Sequence, residues 1–368
     1  MSATPPFRAD HVGSLLRPEN LREAFKLHAR KQITDAEFSA IQDAAILDVL
    51  KLQEDVGLKV ANDGEFRRGS YWGHWVAKVQ GFGIRKAAFK FHDDHGHESE
   101  FTAADVLSPL QRTQGISTDE YAFLAKHTIL PGKVTMPSPS TLHFYGGRES
   151  IAASAYPDYK TYLADLARIF REEIAALGAL GCRHIQIDEV PLVMLCDPKV
   201  RDAVKAQGYD WQELMTEYIK VTNEAVKERP AGMTTAMHLC RGNFKGKYLS
   251  EGGYDAIAER MFNDLDIDVF LLEYDTDRAG DFAPLRHVPK TKSVSLGLIT
   301  TKSPVLESVD VLRRRIDLAT KYIDLSQLGI CPQCGFASTV GGNDVTLDDE
   351  IAKLRLLTST AEKVWGSA

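Results

Sequence analysis

The chain of 368 residues is short of cysteine, of basic excess and of long apolar runs. Each shortage excludes something. Five cysteines, an odd number with no secretory signal ahead of them, do not make a disulfide framework and point to a reducing compartment. Residues 1–9 hold no apolar stretch of the kind a signal peptide needs. No apolar run reaches the about 18 residues that span a bilayer. With 44 Lys and Arg against 51 Asp and Glu, the net charge is −7, which favours neither nucleic acid nor an anionic membrane surface. A glycine-rich phosphate loop is also missing after the first strand, which argues against a doubly wound open sheet. The expectation is a cytoplasmic protein without nucleic acid or membrane as partner.

What is there is ample hydrophobic material, 44% of the chain, arranged in alternation. Strand-like runs fall at 7–15, 58–62, 133–136, 183–188, 234–240, 269–273, 292–299 and 328–331. Between them lie segments with helical spacing at 21–31, 35–56, 159–180, 211–228, 254–265, 304–323 and 347–364. Pro304 is read as a helix start. Eight strands, most of them followed by a helix and the second by a long excursion, predict an α/β fold, a (β/α)8 TIM barrel forming one domain over 1–368. An insertion of about 67–128 follows the second strand.

The insertion carries Tyr71, Trp72, Trp75 and Phe82, which suit either a stacking platform for a flat substrate or the packing of an inserted subdomain. Arg67 and Arg68 suit an anionic tail or a solvated pair. The polar run from His92 to Glu98 has Gly96 in its middle, so a solvated hairpin tip is preferred to a second metal site.

The chemistry gathers where strands end. On a strand, residues two apart share a face, so His238 and Cys240 project together, an imidazole beside a thiol. Zinc prefers nitrogen and sulfur donors in a tetrahedron. Two later strand ends offer further donors, Glu273 and Cys334. A core histidine beside a buried cysteine is the plain alternative, and Cys331 with Cys334 also fits a C-x-x-C redox couple. Ser14, Glu65 and Asp188 fall at strand C-termini as well, the rim where barrels of this kind carry their sites.

Taken together, His11-Val12-Gly13-Ser14, Asp63-Gly64-Glu65, Ile185-Gln186-Ile187-Asp188-Glu189, His238-Leu239-Cys240, Leu271-Leu272-Glu273 and Gln333-Cys334-Gly335 resemble the C-terminal catalytic barrel of cobalamin-independent methionine synthase, over nearly the whole chain. The likeness is to its short, single-barrel members. It implies Zn2+ held by His238, Cys240 and Cys334, with Glu273 as an exchangeable fourth ligand. It implies a small-molecule thiol, homocysteine, as substrate, its amino acid part held by Ser14, Glu65 and Asp188, and a methyl donor such as a methylated folate. Lys302 falls where the family carries a histidine that protonates the departing folate nitrogen, so it is the expected proton donor. The family's I-D-E-P run appears here as Asp188-Glu189-Val190-Pro191, with the proline one place later. Both departures bear on the alkyl donor. The alternatives are zinc-dependent alkylation of a thiol by another partner, such as an epoxide, and a non-catalytic zinc-binding relative. A homo-oligomer is compatible with all three.

Overall fold

A computed structural model describes residues 3–368. Six parallel strands make one sheet in consecutive order: β1 (Lys133–Pro137), β2 (His184–Glu189), β3 (Thr234–Leu239), β4 (Val269–Glu273), β5 (Ser293–Ile299) and β6 (Leu328–Pro332). The strands are buried along almost their whole length, as expected of a parallel sheet covered by crossover helices. Among those helices are α1 (Asp35–Asp55), α2 (Tyr159–Ala179), α3 (Trp211–Val226), α4 (Val309–Ala319) and α5 (Leu347–Trp365).

The two segments expected as the first strands flank this sheet, each through a single parallel bridge. Ala9 bridges Ile330 on β6, and Ala61 bridges Gly132 just before β1. Asp10 N–H donates to Ile330 O at 3.0 Å and Lys133 N–H to Ala61 O at 2.8 Å. Between the two segments no strand ladder forms among the described residues; side chains span the seam instead. The fully buried Gln53 of α1 donates from Nε2 to Asn62 O (2.8 Å), and its Oε1 accepts Asn62 N–H (3.0 Å) and lies 2.8 Å from His11 Nε2. Asn62 Nδ2 then donates to Gly13 O at 2.9 Å. A side-chain amide has taken the place of a backbone ladder, which is why runs 7–15 and 58–62 shrink from strands to bridges. The architecture is the (β/α)8 barrel, with six ladder strands and two bridging segments.

Two helix boundaries move from their expected places. α4 begins at Val309, because Ser308 Oγ caps it by accepting Val311 N–H. Residues 254–265 split into a 3-10 turn, Tyr254–Ala256, and a short helix, Ala258–Asp264. The break follows from Tyr254, whose hydroxyl donates to Leu239 O and Glu273 O, both at 3.1 Å, and holds the turn down on the rim.

Within 67–128 a hairpin pairs Gln80–Lys86 with Thr102–Gln111, antiparallel, and a smaller pair, Phe91–His92 with Glu98–Ser99, forms its tip. The tip is solvated, with His97 Nδ1 3.0 Å from Asp93 Oδ2 and the imidazole 72% exposed. His92 and Tyr248 exchange backbone hydrogen bonds at 2.9 Å each way, so the hairpin is strapped to the loop that follows β3. Trp75 is fully buried and stacks on Phe170 of α2 at 4.0 Å between ring centres. It is packing rather than platform. No helix among the described residues is long and apolar enough to cross a membrane.

Candidate metal centre and substrate cavity

The strand ends carry the expected residues to one place. Register sets Asp188 of β2 opposite His238 of β3, so a carboxyl and an imidazole stand side by side at the rim. Ligand atoms of His238, Cys240 and Cys334 all lie within 4.8 Å of one another, and all three residues are buried. The two sulfurs are 3.9 Å apart. Two thiolates on one tetrahedral zinc, at Zn–S of about 2.3 Å, would sit roughly 3.8 Å apart. Both ring nitrogens of His238 are buried without a hydrogen-bond partner. A buried imidazole with neither nitrogen satisfied is costly unless something else takes the lone pair, and a metal ion fits that requirement.

The two sulfurs shift each other's protonation in opposite directions. The Cys334 thiol is held well below the ordinary thiol range, first by its contact with Cys240 and then by His238 and Lys302, against burial. Cys240 moves the opposite way, first through Cys334 and then through burial. Cys331 stays out of the group. Its Sγ points at Ser295 O, 3.6 Å away, inside the barrel wall. All five cysteines are free, and the C-x-x-C couple is set aside.

Glu273 ends β4 fully buried but outside the three-residue group. Its Oε2 accepts the backbone N–H of Arg241 at 2.6 Å, while its Oε1 has no hydrogen bond. Lys302 Nζ is 3.5 Å from that Oε1. Burial would raise the Glu273 carboxyl; Lys302 and Arg241 outweigh it and hold the group below the usual carboxylate range.

Beside the sulfur group opens a recess of about 460 Å³, counting its solvent-open mouth, lined by Ser14, Glu65, Tyr71, Phe91, Tyr145, Asp188, His238, Cys240, Asn243, Cys334 and Ser338 among others. Neither Lys302 nor Glu273 is on its wall. Lys302 therefore stands where the sequence put it, on the loop after β5, but its ammonium meets Glu273 and not the cavity.

Glu65 adopts φ +61°, a left-handed conformation that costs a non-glycine residue about 1 kcal/mol. Its N–H is tied to Asp63 Oδ1 at 2.9 Å. Its Oε1 accepts Thr135 Oγ1–H at 2.7 Å, and its Oε2 is buried with no partner. Glu65 thus stands on the cavity wall with one carboxylate oxygen left unpaired. Arg68 is buried too, its guanidinium donating to Glu120 at 2.6 Å and to Thr135 Oγ1 at 2.9 Å. Arg67 pairs with Asp43. The two arginines are neither a solvated pair nor an open anion site. Asp188 Oδ1 accepts from Gln186 Nε2 at 2.7 Å. Burial pushes its carboxyl up to about 7, with His238 opposing and Glu65 adding to the rise.

Ser14 meets the Cys334 loop at very close range. A Cβ at Gly335 would lie 2.0 Å from Ser14 Oγ, so a side chain there would force that hydroxyl to turn away, and Phe336 N–H donates to Ser14 O at 2.8 Å. Asn243 Nδ2 donates to Gly335 O at 3.0 Å and fixes the same loop from the β3 side. Asn243, Tyr145 and Ser338 escaped the sequence reading; each sits in a loop with no periodicity to mark it, and Asn243 lies three residues past Cys240.

Fold and site define a class first: a (β/α)8 barrel whose strand ends set a nitrogen–sulfur donor group against two carboxylates across one cavity. Known proteins then narrow it. Residues 7–362 match the family described as "Cobalamin-independent synthase, Catalytic domain". The chain is 38% identical to "Uncharacterized protein YxjH" of Bacillus subtilis (strain 168), over 98% of this chain and 95% of that one. It is 26% identical to the methionine synthase of Pyrococcus abyssi, over 88% of this chain and 84% of that one. A putative vitamin-B12 independent methionine synthase from Listeria monocytogenes has a crystal structure that superimposes with a TM-score of 0.78 at 29% identity, covering 99% of this chain and 100% of that chain. The chain belongs to the cobalamin-independent methionine synthase family, through its catalytic domain.

Proposed function

We propose that this protein is a zinc-dependent methyltransferase that moves a methyl group from a methylated folate, or another methyl donor, to the thiol of homocysteine, forming methionine. The observation that carries the reading is the convergence of His238, Cys240 and Cys334 beside Glu65 and Asp188, in a member of this family. Held by those three side chains, zinc would supply a positive centre that keeps a thiol ionised at neutral pH, where a free thiol titrates near about 8.5.

The remaining work falls to the chain's own residues. Glu65 offers its unpartnered Oε2, and Asp188 its Oδ2, to an ammonium group, and Ser14 offers a hydroxyl from the same cavity wall. An amino acid anchored there extends its side chain toward the sulfur group, which orients the thiol before reaction. Tyr71, Tyr145 and Phe91 close the wall and keep water from the reacting sulfur.

Metal analysis of the pure protein tests the centre. Close to one zinc per chain is expected, with loss of it in both His238→Ala and Cys334→Ser; retention in both would end the assignment. Donor identity is read by assaying methyltetrahydrofolate, its polyglutamates, methylcobalamin and small epoxides side by side with homocysteine. Methionine from a folate or corrinoid donor is expected. Turnover of the epoxides alone would replace methyl transfer with thiol alkylation of another kind.

A further inference from the structure

We propose that Lys302 is a positioning residue for Glu273: its ammonium draws the free carboxylate oxygen away from His238, Cys240 and Cys334, so that the fourth coordination position stays open to exchange. The inference rests on the zinc reading above.

The argument begins with the two oxygens of Glu273, which are treated differently. Oε2 is pinned by Arg241 N–H at 2.6 Å, with the Arg241 guanidinium 3.9 Å away. That guanidinium is committed elsewhere, donating from Nε to Gly252 O at 2.9 Å and lying 4.6 Å over the Tyr254 ring. Oε1 is the oxygen left over. It is buried without a hydrogen bond, and the ammonium 3.5 Å from it likewise has no hydrogen-bond acceptor. The Lys302 side chain is only 10% exposed, so this is a contact between two buried, incompletely satisfied charges and not a surface pair. Oε1 can swing about the pinned Oε2, toward the sulfur group or toward the lysine.

Coordination number decides what each position is for. His238, Cys240, Cys334 and an arriving thiolate would fill the four positions of a tetrahedral zinc, leaving none for a carboxylate. The carboxylate must leave, and a buried carboxylate without a partner is expensive. Lys302 gives it somewhere to go. The lysine therefore favours the thiol-bound arrangement by stabilising the carboxylate that has been displaced, and it does so without touching the cavity.

Removing the lysine should make Glu273 a permanent ligand. In Lys302→Met, zinc affinity without thiol, measured by chelator competition, is expected to rise roughly tenfold or more, a change of the size that altering a ligand's partner usually produces but opposite in sign. X-ray absorption on the zinc-loaded variant should retain its oxygen ligand when homocysteine is added, where the parent exchanges it for sulfur. Lys302→Arg should behave like the parent. In a Glu273→Gln background the tightening should vanish. Unchanged or weaker zinc binding in Lys302→Met overturns the inference, as does tightening that persists in the Glu273→Gln background, which would mean only that a repelling charge was removed. Zinc bound by Cys334→Ser as tightly as by the parent would instead bring down the metal reading itself.

Discussion

Two buried lysines of the barrel, Lys133 and Lys302, invite comparison. Lys133 opens β1 inside the barrel, and its ammonium reaches Asp10 Oδ1 at 2.6 Å, Gln186 Oε1 at 3.0 Å and the carbonyl of His11. Lys302 stands at the strand C-termini with one carboxylate 3.5 Å away and no hydrogen bond. The same chemical group is finished at one site and left unfinished at the other. A buried charge whose valences are all met serves the fold; a buried charge left partly unmet marks where something else is meant to arrive. His238, Glu65 Oε2 and Glu273 Oε1 share the unfinished character, and all lie at the strand-end rim.

The comparison can be broken in four ways, from the largest effect to the smallest. Cys334→Ser should remove zinc and reduce methionine formation by orders of magnitude while the melting curve of the metal-free protein stays close to that of the metal-free parent; a large loss of metal-free stability would make Cys334 a packing residue. Lys133→Met leaves Asp10 as an uncompensated buried charge and should cost about 3–5 kcal/mol in denaturant unfolding. The zinc content of whatever folds should be unchanged, and loss of metal at normal stability would erase the contrast between the two lysines.

Glu350 is the awkward case. Its Oε2 accepts Leu16 N–H at 2.8 Å, yet its Oε1 is buried and unpartnered without belonging to the cavity. Burial pushes its carboxyl up to about 8. The folded state therefore holds a proton that the unfolded chain has released, and stability falls as pH rises from the ordinary carboxylate range through about 8. Glu350→Gln keeps the acceptor for Leu16 and removes this dependence. Its melting temperature should exceed the parent's increasingly between pH 5 and 8, by an amount corresponding to a few kcal/mol at most. A constant gap across that range would show that the carboxyl is not protonated in the fold. Last, His97→Ala at the solvated hairpin tip should change stability by less than about 0.5 kcal/mol and leave zinc at one per chain. A fall in metal content would revive a second site in the His92 to Glu98 run.

The sequence revealed the six ladder strands because each is a short, largely apolar run standing between helical segments or loops. It revealed His238 with Cys240 because strand parity is local arithmetic. The seam between the first two segments was not legible, since it is closed by Gln53 reaching in from a helix, and no pattern along the chain announces a side chain substituting for a ladder. The helix start at Ser308 was hidden by the more conspicuous Pro304 four residues earlier. Tyr145, Asn243 and Ser338 were missed for the reason loops usually are: their places depend on what lies across from them. Lys302 was found by alignment to a motif, but its partner was not, because Glu273 reaches it only once β4 and β5 lie side by side.

The paired bonds between His92 and Tyr248 have a mechanical consequence. The hairpin that carries Phe91 to the cavity wall and the stretch that leaves β3 through Cys240 and Asn243 are fastened to each other there. Any displacement of the hairpin tip must therefore either break that fastening or carry the stretch after Cys240 along with it.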